Sequence, residues 1–405
     1  MNNQWQGLVA TILKFKKAVK DELDKSNQSF HSDLNGEKPI SFKGLAAVQD
    51  ESNTYSVEVS EVLFWHDPTA YLDEFERWEG QATIDKYSCV KGYLETSEQS
   101  NVFSGFVDSL KRNRLAPFVG AGFSKSCEMP LWGEAIQKLI KKLGRVSASE
   151  QGAMQPALAY LDEVEKYLEQ GDFPQAAELL YRNHKTQLES FIRNTFDLTD
   201  SKEVRGPIKL LPQLTDGCIV TTNFDGIIER VFSDHKKPIQ GYMHGIQSQN
   251  QFASKLIQGG RCILKLHGHF DALDTYIFTK NQYDAAYGEC ESGALDYTKP
   301  LAKVLRQVFV SHSLLFLGCS LEKDRTLELF INVVDSDAFD IPEHYAFLPE
   351  PSSHASRLEK EDLLSRAKIR PIWYEVKYDG GSQDHSQLEE LLMFAIECSS
   401  GKAKV

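Results

Sequence analysis

From residue 115 onward the chain carries six short, mostly apolar runs: Leu115–Gly120, Gly217–Thr222, Cys262–Leu266, Leu314–Gly318, Tyr345–Leu348 and Ile369–Val376. Runs of this length that do not alternate with polar residues fit strands buried on both faces, as in a parallel sheet. Helical periodicity separates them, so the expected class is α/β with a doubly wound sheet. A long helical stretch, Met154 to Phe196, lies between the first two runs and is broken at Gly171-Asp172-Phe173-Pro174. Leu158, Leu161, Val164 and Leu168 repeat there at helical spacing. It is too long for a simple crossover and reads as a helical insertion over about residues 145–205.

The first hundred residues read differently. An amphipathic helix is expected from Trp5 to Leu23, then a polar stretch, Asp24 to Lys38, rich in Ser, Asn, Asp and Gly. Thr54–Ser60 has the alternation of a strand, and the aromatic-rich Val62–Trp78 fits neither pattern cleanly. No chemical motif occurs here. Residues 1–100 are therefore expected to form an N-terminal α+β extension for assembly or regulation, ahead of a main domain over 101–400.

Four strand ends carry polar or glycine residues suited to chemistry. The first is Gly120-Ala121-Gly122-Phe123-Ser124, where a Gly-x-Gly turn lets backbone approach a phosphate and Ser124 can donate. An ordinary tight turn has the same look. The second is Thr221-Thr222-Asn223-Phe224-Asp225, which equally fits an Asx-turn or helix cap. The third is Lys265-Leu266-His267-Gly268-His269, delivering an imidazole suited to general-base work near neutrality. His244-Gly245 is a rival; His267 is preferred because a clear strand precedes it, with His269 as a neighbour in the same pocket. The fourth is Gly318-Cys319-Ser320-Leu321, with Asp324-Arg325 just after.

Composition closes several routes. The seven cysteines stand at 89, 127, 218, 262, 290, 319 and 398, with no C-x-x-C pair to make a zinc ribbon or disulfide framework. A net charge of −13 and a lack of dense basic clusters argue against direct nucleic-acid contact. No apolar run approaches a membrane span. The opening MNNQWQGLVATILKFKK places its basic residues after the apolar stretch, the reverse of a secretory signal, so a cytoplasmic address is expected.

Taken in order, Gly-Ala-Gly-x-Ser, Thr-x-Asn-x-Asp, His-Gly and Gly-x-Ser-Leu resemble the motif series of the sirtuin superfamily, over roughly residues 103 to 398. The resemblance implies a Rossmann-like sheet with NAD lying across the carboxyl ends of its strands. It implies that Ala121, Gly122 and Ser124 hold the pyrophosphate, that Gly318 and Ser320 approach phosphate and the adenosine ribose, and that Gly120, Phe123, Thr222 and Cys319 complete the NAD site. Asn223, Asp225 and His267 would be the catalytic residues. Asn223 would sit at the nicotinamide ribose, Asp225 on the carboxamide, and His267 would act as base. Protein-deacylating sirtuins carry two C-x-x-C pairs after the His-Gly; here that interval holds only Cys290, with Thr275–Thr279, Tyr283 and Tyr287 in its place. The metal-free pattern is similar to that of sirtuin-like effectors of bacterial antiviral defence, which split NAD into nicotinamide and ADP-ribose. NAD is then substrate, no zinc is expected, and a homo-oligomer or a HerA-like hexameric ATPase is the expected regulator. A protein deacylase or ADP-ribosyltransferase, and a non-catalytic NAD or ADP-ribose sensor, are the alternatives.

Overall fold

The computed structural model describes residues 3–43, 54–150, 159–198, 203–247, 251–288, 296–322, 325–336, 338–379 and 382–405; Met154, Cys290 and Asp324 lie outside them. The chain divides into two compact units, Met1–Ser88 and Cys89–Val405, with the division inside the long helix Pro68–Thr96. Among the described residues no helix is long and apolar enough to cross a membrane.

The first unit pairs β1 (Ile40–Lys43) with β2 (Thr54–Val57) in an antiparallel ribbon and adds helices Asn3–Ser26, Gln28–Asn35 and Val59–His66. Two expectations need correction, and one open segment is settled. The polar stretch Asp24–Lys38 contains a helix, because Phe30 within it is buried against Tyr71, Phe75 and Trp78, with ring centroids 5.4, 5.1 and 5.7 Å away. The strand ends at Val57 rather than Ser60, and Ser60 already belongs to the next helix, where the Asn35 side chain accepts its amide at 2.8 Å. The stretch Val62–Trp78 is helical, apart from the break at Asp67.

The second unit is built on seven parallel strands: β3 (Leu115–Val119), β4 (Cys218–Thr221), β5 (Gly241–His244), β6 (Cys262–Lys265), β7 (Ser313–Leu317), β8 (His344–Pro349) and β9 (Ile369–Tyr374). Their spatial order is β5-β6-β4-β3-β7-β8-β9. Helices lie between consecutive strands, giving a Rossmann-like α/β fold. A small ribbon, β10 (Lys377–Asp379) with β11 (Ser382–Asp384), follows the sheet. All four residues of β4 and of β6 are buried, which is why their sequences show no alternation. β5, by contrast, is an edge strand with Tyr242 exposed, and its short Gly-Tyr-Met-His run hides it from pattern reading.

Two details keep the sheet regular. Pro117 has no amide to donate, yet it stands in the central strand β3. It falls before the ladder with β4, which involves only Phe118 and Val119; there the Thr215 hydroxyl donates to the Leu115 carbonyl at 3.0 Å. At the far edge, the Gln99 side chain serves Trp373 of β9 as a neighbouring strand would. Its Oε1 accepts from the Trp373 amide at 2.6 Å, and its Nε2 donates to the Trp373 carbonyl at 3.3 Å. That satisfies an otherwise open edge.

The order reverses at β3, whose neighbours β4 and β7 lie on opposite sides. In open sheets of this kind the crevice outside such a switch point is the usual ligand site. Helices Ala159–Glu169 and Phe173–Phe196 of the insertion pack on each other, and Asp172 caps the second by accepting from Gln175 at 3.2 Å.

Candidate active site

A cleft of about 1400 Å³ opens over the carboxyl ends of the central strands. Of the residues singled out by sequence, Ala121, Ser124, Thr222, Asn223, Asp225, His267, Cys319 and Ser320 line it. Gly120, Gly122, Phe123 and Gly318 do not. Their part is to join the loops after β3 and β7. Gly120 and Gly122 donate to the carbonyls of Leu317 and Gly318 at 2.9 and 3.0 Å. A Cβ on Gly120 would stand 2.5 Å from the Gly318 carbonyl oxygen, and one on Gly318 would overlap the Phe123 amide. Gly318 also has φ +67, in the region that side chains disfavour. The glycines thus set the floor of the cleft by letting two backbones touch.

Asn223 is fixed from three sides. Its amide donates to Thr221 Oγ1 at 3.0 Å, and that hydroxyl donates to the Val119 carbonyl at 2.8 Å, bridging two strands. Its Nδ2 donates to the Gly120 carbonyl at 3.2 Å and to Ser124 Oγ at 2.9 Å. These bonds orient the amide and leave Oδ1 buried with no hydrogen-bond partner among the described residues. A buried acceptor without a donor costs free energy, so such an atom in a cleft marks a place for a ligand's donor.

Asp225 is buried, with Oδ1 accepting from the Ile227 amide at 3.1 Å. Burial raises its pKa, and the nearby Lys265 charge opposes that shift. Lys265, fully buried on β6, donates to the Asp225 carbonyl and pairs with Glu229 at 2.9 Å. Burial pushes Glu229 up, but Lys265 outweighs it and holds this carboxyl below its ordinary range. Lys265 is a residue that sequence reading passes over, although a lysine inside the run Ile263–Leu266 is itself a signal that a buried partner waits for it.

His267 is half-buried at the end of β6. Burial lowers its pKa to about 4, against a hydrogen bond from the ring to the Thr222 backbone. The imidazole is therefore neutral at pH 7. Its Nε2 lies 2.8 Å from the Tyr283 hydroxyl. His269 stands outside the cleft lining and stacks on His244 with centroids 5.1 Å apart. The rival pair His244-Gly245 is also delivered by a strand, β5, so a preceding strand does not distinguish the two. Gly245 and Gly268 have φ +54 and +93, and a Cβ on either would collide with the Thr275 carbonyl. What distinguishes them is position: only His267 of the two histidines faces the cleft.

The remaining wall is aromatic and was largely invisible from local pattern. Trp132 packs on Phe224, Phe278 and Phe196, with centroids 5.6, 5.9 and 6.5 Å apart, bringing four distant segments together. After the β6 end, Thr279 and Gln282 form a capping box that starts helix Lys280–Tyr287, which carries Tyr283. Arg325 joins from the helix after β7, pairing with Asp284 at 2.5 Å. Among the described residues no group of three or more His, Cys, Asp or Glu is arranged to hold a metal ion.

The family model described as SIR2-like domain matches residues 217–372. That span runs from β4 to β9 and includes Asn223, Asp225, His267 and the Gly318–Ser320 loop; the Gly120–Ser124 loop precedes it. The match supports a sirtuin-like family and NAD-related activity in general. No curated protein matches the chain.

Proposed function

Starting from a SIR2-like domain, we propose that this chain hydrolyses NAD at the nicotinamide–ribose bond, releasing nicotinamide and ADP-ribose. The observation that carries the reading is Asn223 Oδ1, a buried acceptor without a partner among the described residues, lining the same cleft as Asp225 and a neutral His267. Nicotinamide departs as a neutral group from a cationic glycoside, so the reaction needs little acid catalysis. It needs an oriented substrate, a place for positive charge on the ribosyl group and a nucleophilic water. Asn223 Oδ1 can accept from that water or from a ribose hydroxyl. Asp225 can accept from the carboxamide, and His267, unprotonated at pH 7, can take up a proton. Ala121, Ser124, Cys319 and Ser320 line the rest of the cleft, where the pyrophosphate and second ribose would bind.

The wider role we propose is a regulated, NAD-depleting effector of bacterial anti-phage defence, acting as a homo-oligomer or with a HerA-like hexameric ATPase. Its support is the motif order and the segment Thr275–Thr279 standing where a zinc ribbon would be. One assay tests both levels: nicotinamide and ADP-ribose are quantified after incubating NAD with the chain, alone and with a HerA-like ATPase. Wild type is expected to release both products, and Asn223→Ala and His267→Ala to lose about 10²-fold or more of that rate while staying folded. Tight NAD binding without turnover in either mixture would replace hydrolysis by sensing. O-acetyl-ADP-ribose from an acetylated peptide would replace it by deacylation.

A further inference from the structure

The base in the cleft already has a partner. The His267 ring donates to the Thr222 backbone, so in the neutral imidazole Nε2 holds the lone pair. Nε2 already meets the Tyr283 hydroxyl at 2.8 Å. The imidazole lone pair is thus engaged by a hydroxyl that lines the same cleft as His267 does.

Tyr283 is built to stay. Its helix is anchored at the start by the Thr279–Gln282 capping box, and Gln282 Oε1 also accepts from the Phe278 amide at 3.0 Å. Asp284, the next residue, pairs with Lys280 at 3.0 Å and with Arg325 at 2.5 Å; Arg325 donates as well to the Gly288 carbonyl at 3.2 Å. The same guanidinium lies 5.7 Å from the Tyr283 ring centroid, and Tyr287 stacks behind at 5.8 Å. A ring carried on so well anchored a helix, with Arg325 and Tyr287 against it, is poorly suited to swing away on each turnover.

We propose that Tyr283 is a catalytic proton relay between the reacting hydroxyl and His267. A phenol both accepts and donates, so one hydroxyl can serve each side. As water attacks the ribosyl carbon, one of its O–H bonds breaks and the proton passes to Tyr283 Oη. The original Tyr283 proton moves to His267 Nε2, making a new N–H bond. Tyr283 ends unchanged and His267 becomes imidazolium. The electron pair of the glycosidic bond leaves with nicotinamide, and His267 then returns its proton to solvent. The overall change is NAD plus water giving nicotinamide, ADP-ribose and one proton. This relay rests on the glycohydrolase reading given above.

The test is Tyr283→Phe, which keeps the ring and its contact with Arg325. It is assayed for NAD turnover beside wild type, His267→Ala and the double variant, in whichever mixture is active. The relay predicts a fall in kcat of about 10²-fold or more with KM little changed, and a double variant no slower than His267→Ala. It also predicts that the acid limb of the pH profile moves upward in Tyr283→Phe, because a hydroxyl donating to Nε2 favours the unprotonated ring. Asp225 at the end of β4, Lys280 and Asp284 on the Tyr283 helix, and Arg325 opposite are the charged groups around the pair, and all are the same in both proteins. A proton inventory of wild type in mixed light and heavy water should curve, as two protons in flight require. Unchanged kcat with an unmoved acid limb sinks the relay. Raised turnover sinks it too, and makes Tyr283 a latch that blocks His267. Wild type without turnover in any mixture would instead bring down the glycohydrolase reading itself, and the relay with it.

Discussion

At the scale of single residues, the site is organised by groups that never meet the cleft. Lys265 is buried on β6, and its ammonium joins the Asp225 carbonyl to Glu229. Burying a charge is tolerable only with a partner of good geometry, and removing one partner leaves the other stranded. Lys265→Met should therefore destabilise the fold by roughly 3–5 kcal/mol in urea unfolding. Adding Glu229→Gln to it should recover part of that loss, since no buried carboxylate then lacks its cation. A Lys265→Met protein as stable as wild type would show that the pair is not what holds the Asp225 loop. The lysine was legible in the sequence as an oddity within an apolar run. Its partner, 36 residues earlier on helix Ile227–Asp234, was not, because nothing local links the two.

At the scale of elements, the two glycine loops make one unit. The turn after β3 and the turn after β7 touch backbone to backbone, and neither Gly120 nor Gly318 has room for a methyl group. Gly318→Ala combines a clash with the Phe123 amide and a disfavoured φ. It should cost more than about 2 kcal/mol and lower thermal stability together with NAD turnover. A variant that loses turnover but melts as wild type would assign these glycines to ligand approach rather than loop packing. The Gly-x-Gly and Gly-x-Ser runs were readable as strand ends. That they need glycine for each other emerges only when β3 and β7 are neighbours, almost 200 residues apart in the chain. Helix Lys280–Tyr287 shows the same division: Thr279 and Gln282 spell its start, but its delivery of Tyr283 to His267 depends on where β6 ends.

At the scale of the whole molecule, several histidines of the second unit resist protonation. Burial pulls His267 and His269 down to about 4 and His344 to about 3, and it lowers His244 as well. In the unfolded chain these groups titrate near the ordinary value of about 6.5. As pH falls below that value the unfolded chain binds protons that the folded one refuses, so stability declines until the folded values are reached. Asp225, raised by burial, acts in the opposite sense; Glu229 and Asp284, which their cations hold down against burial, add to the acid loss. Stability should change little near pH 7 and fall steadily from about pH 6.5 toward pH 4, with His344 alone contributing roughly 3 kcal/mol over that range. Melting temperatures across that range check it. A melting temperature constant to pH 4.5 would mean these rings are reached by solvent.

The sequence by itself determined the α/β class, six of the seven sheet strands and the presence of Asn223, Asp225 and His267 at strand ends. Those features are written in local periodicity and in the residues that stop it, and they follow from burial of both sheet faces. It did not determine the edge strand β5, whose one covered face leaves too short a pattern, nor the helix Gln28–Asn35 of the first unit, where Phe30 finds its partners some 40 residues away. Strand order was decided only in three dimensions, since adjacency in a parallel sheet depends on crossovers rather than neighbouring residues. That order brings Gly120 to Gly318, Lys265 to Glu229 and Tyr283 to His267, and so turns four motifs into one site.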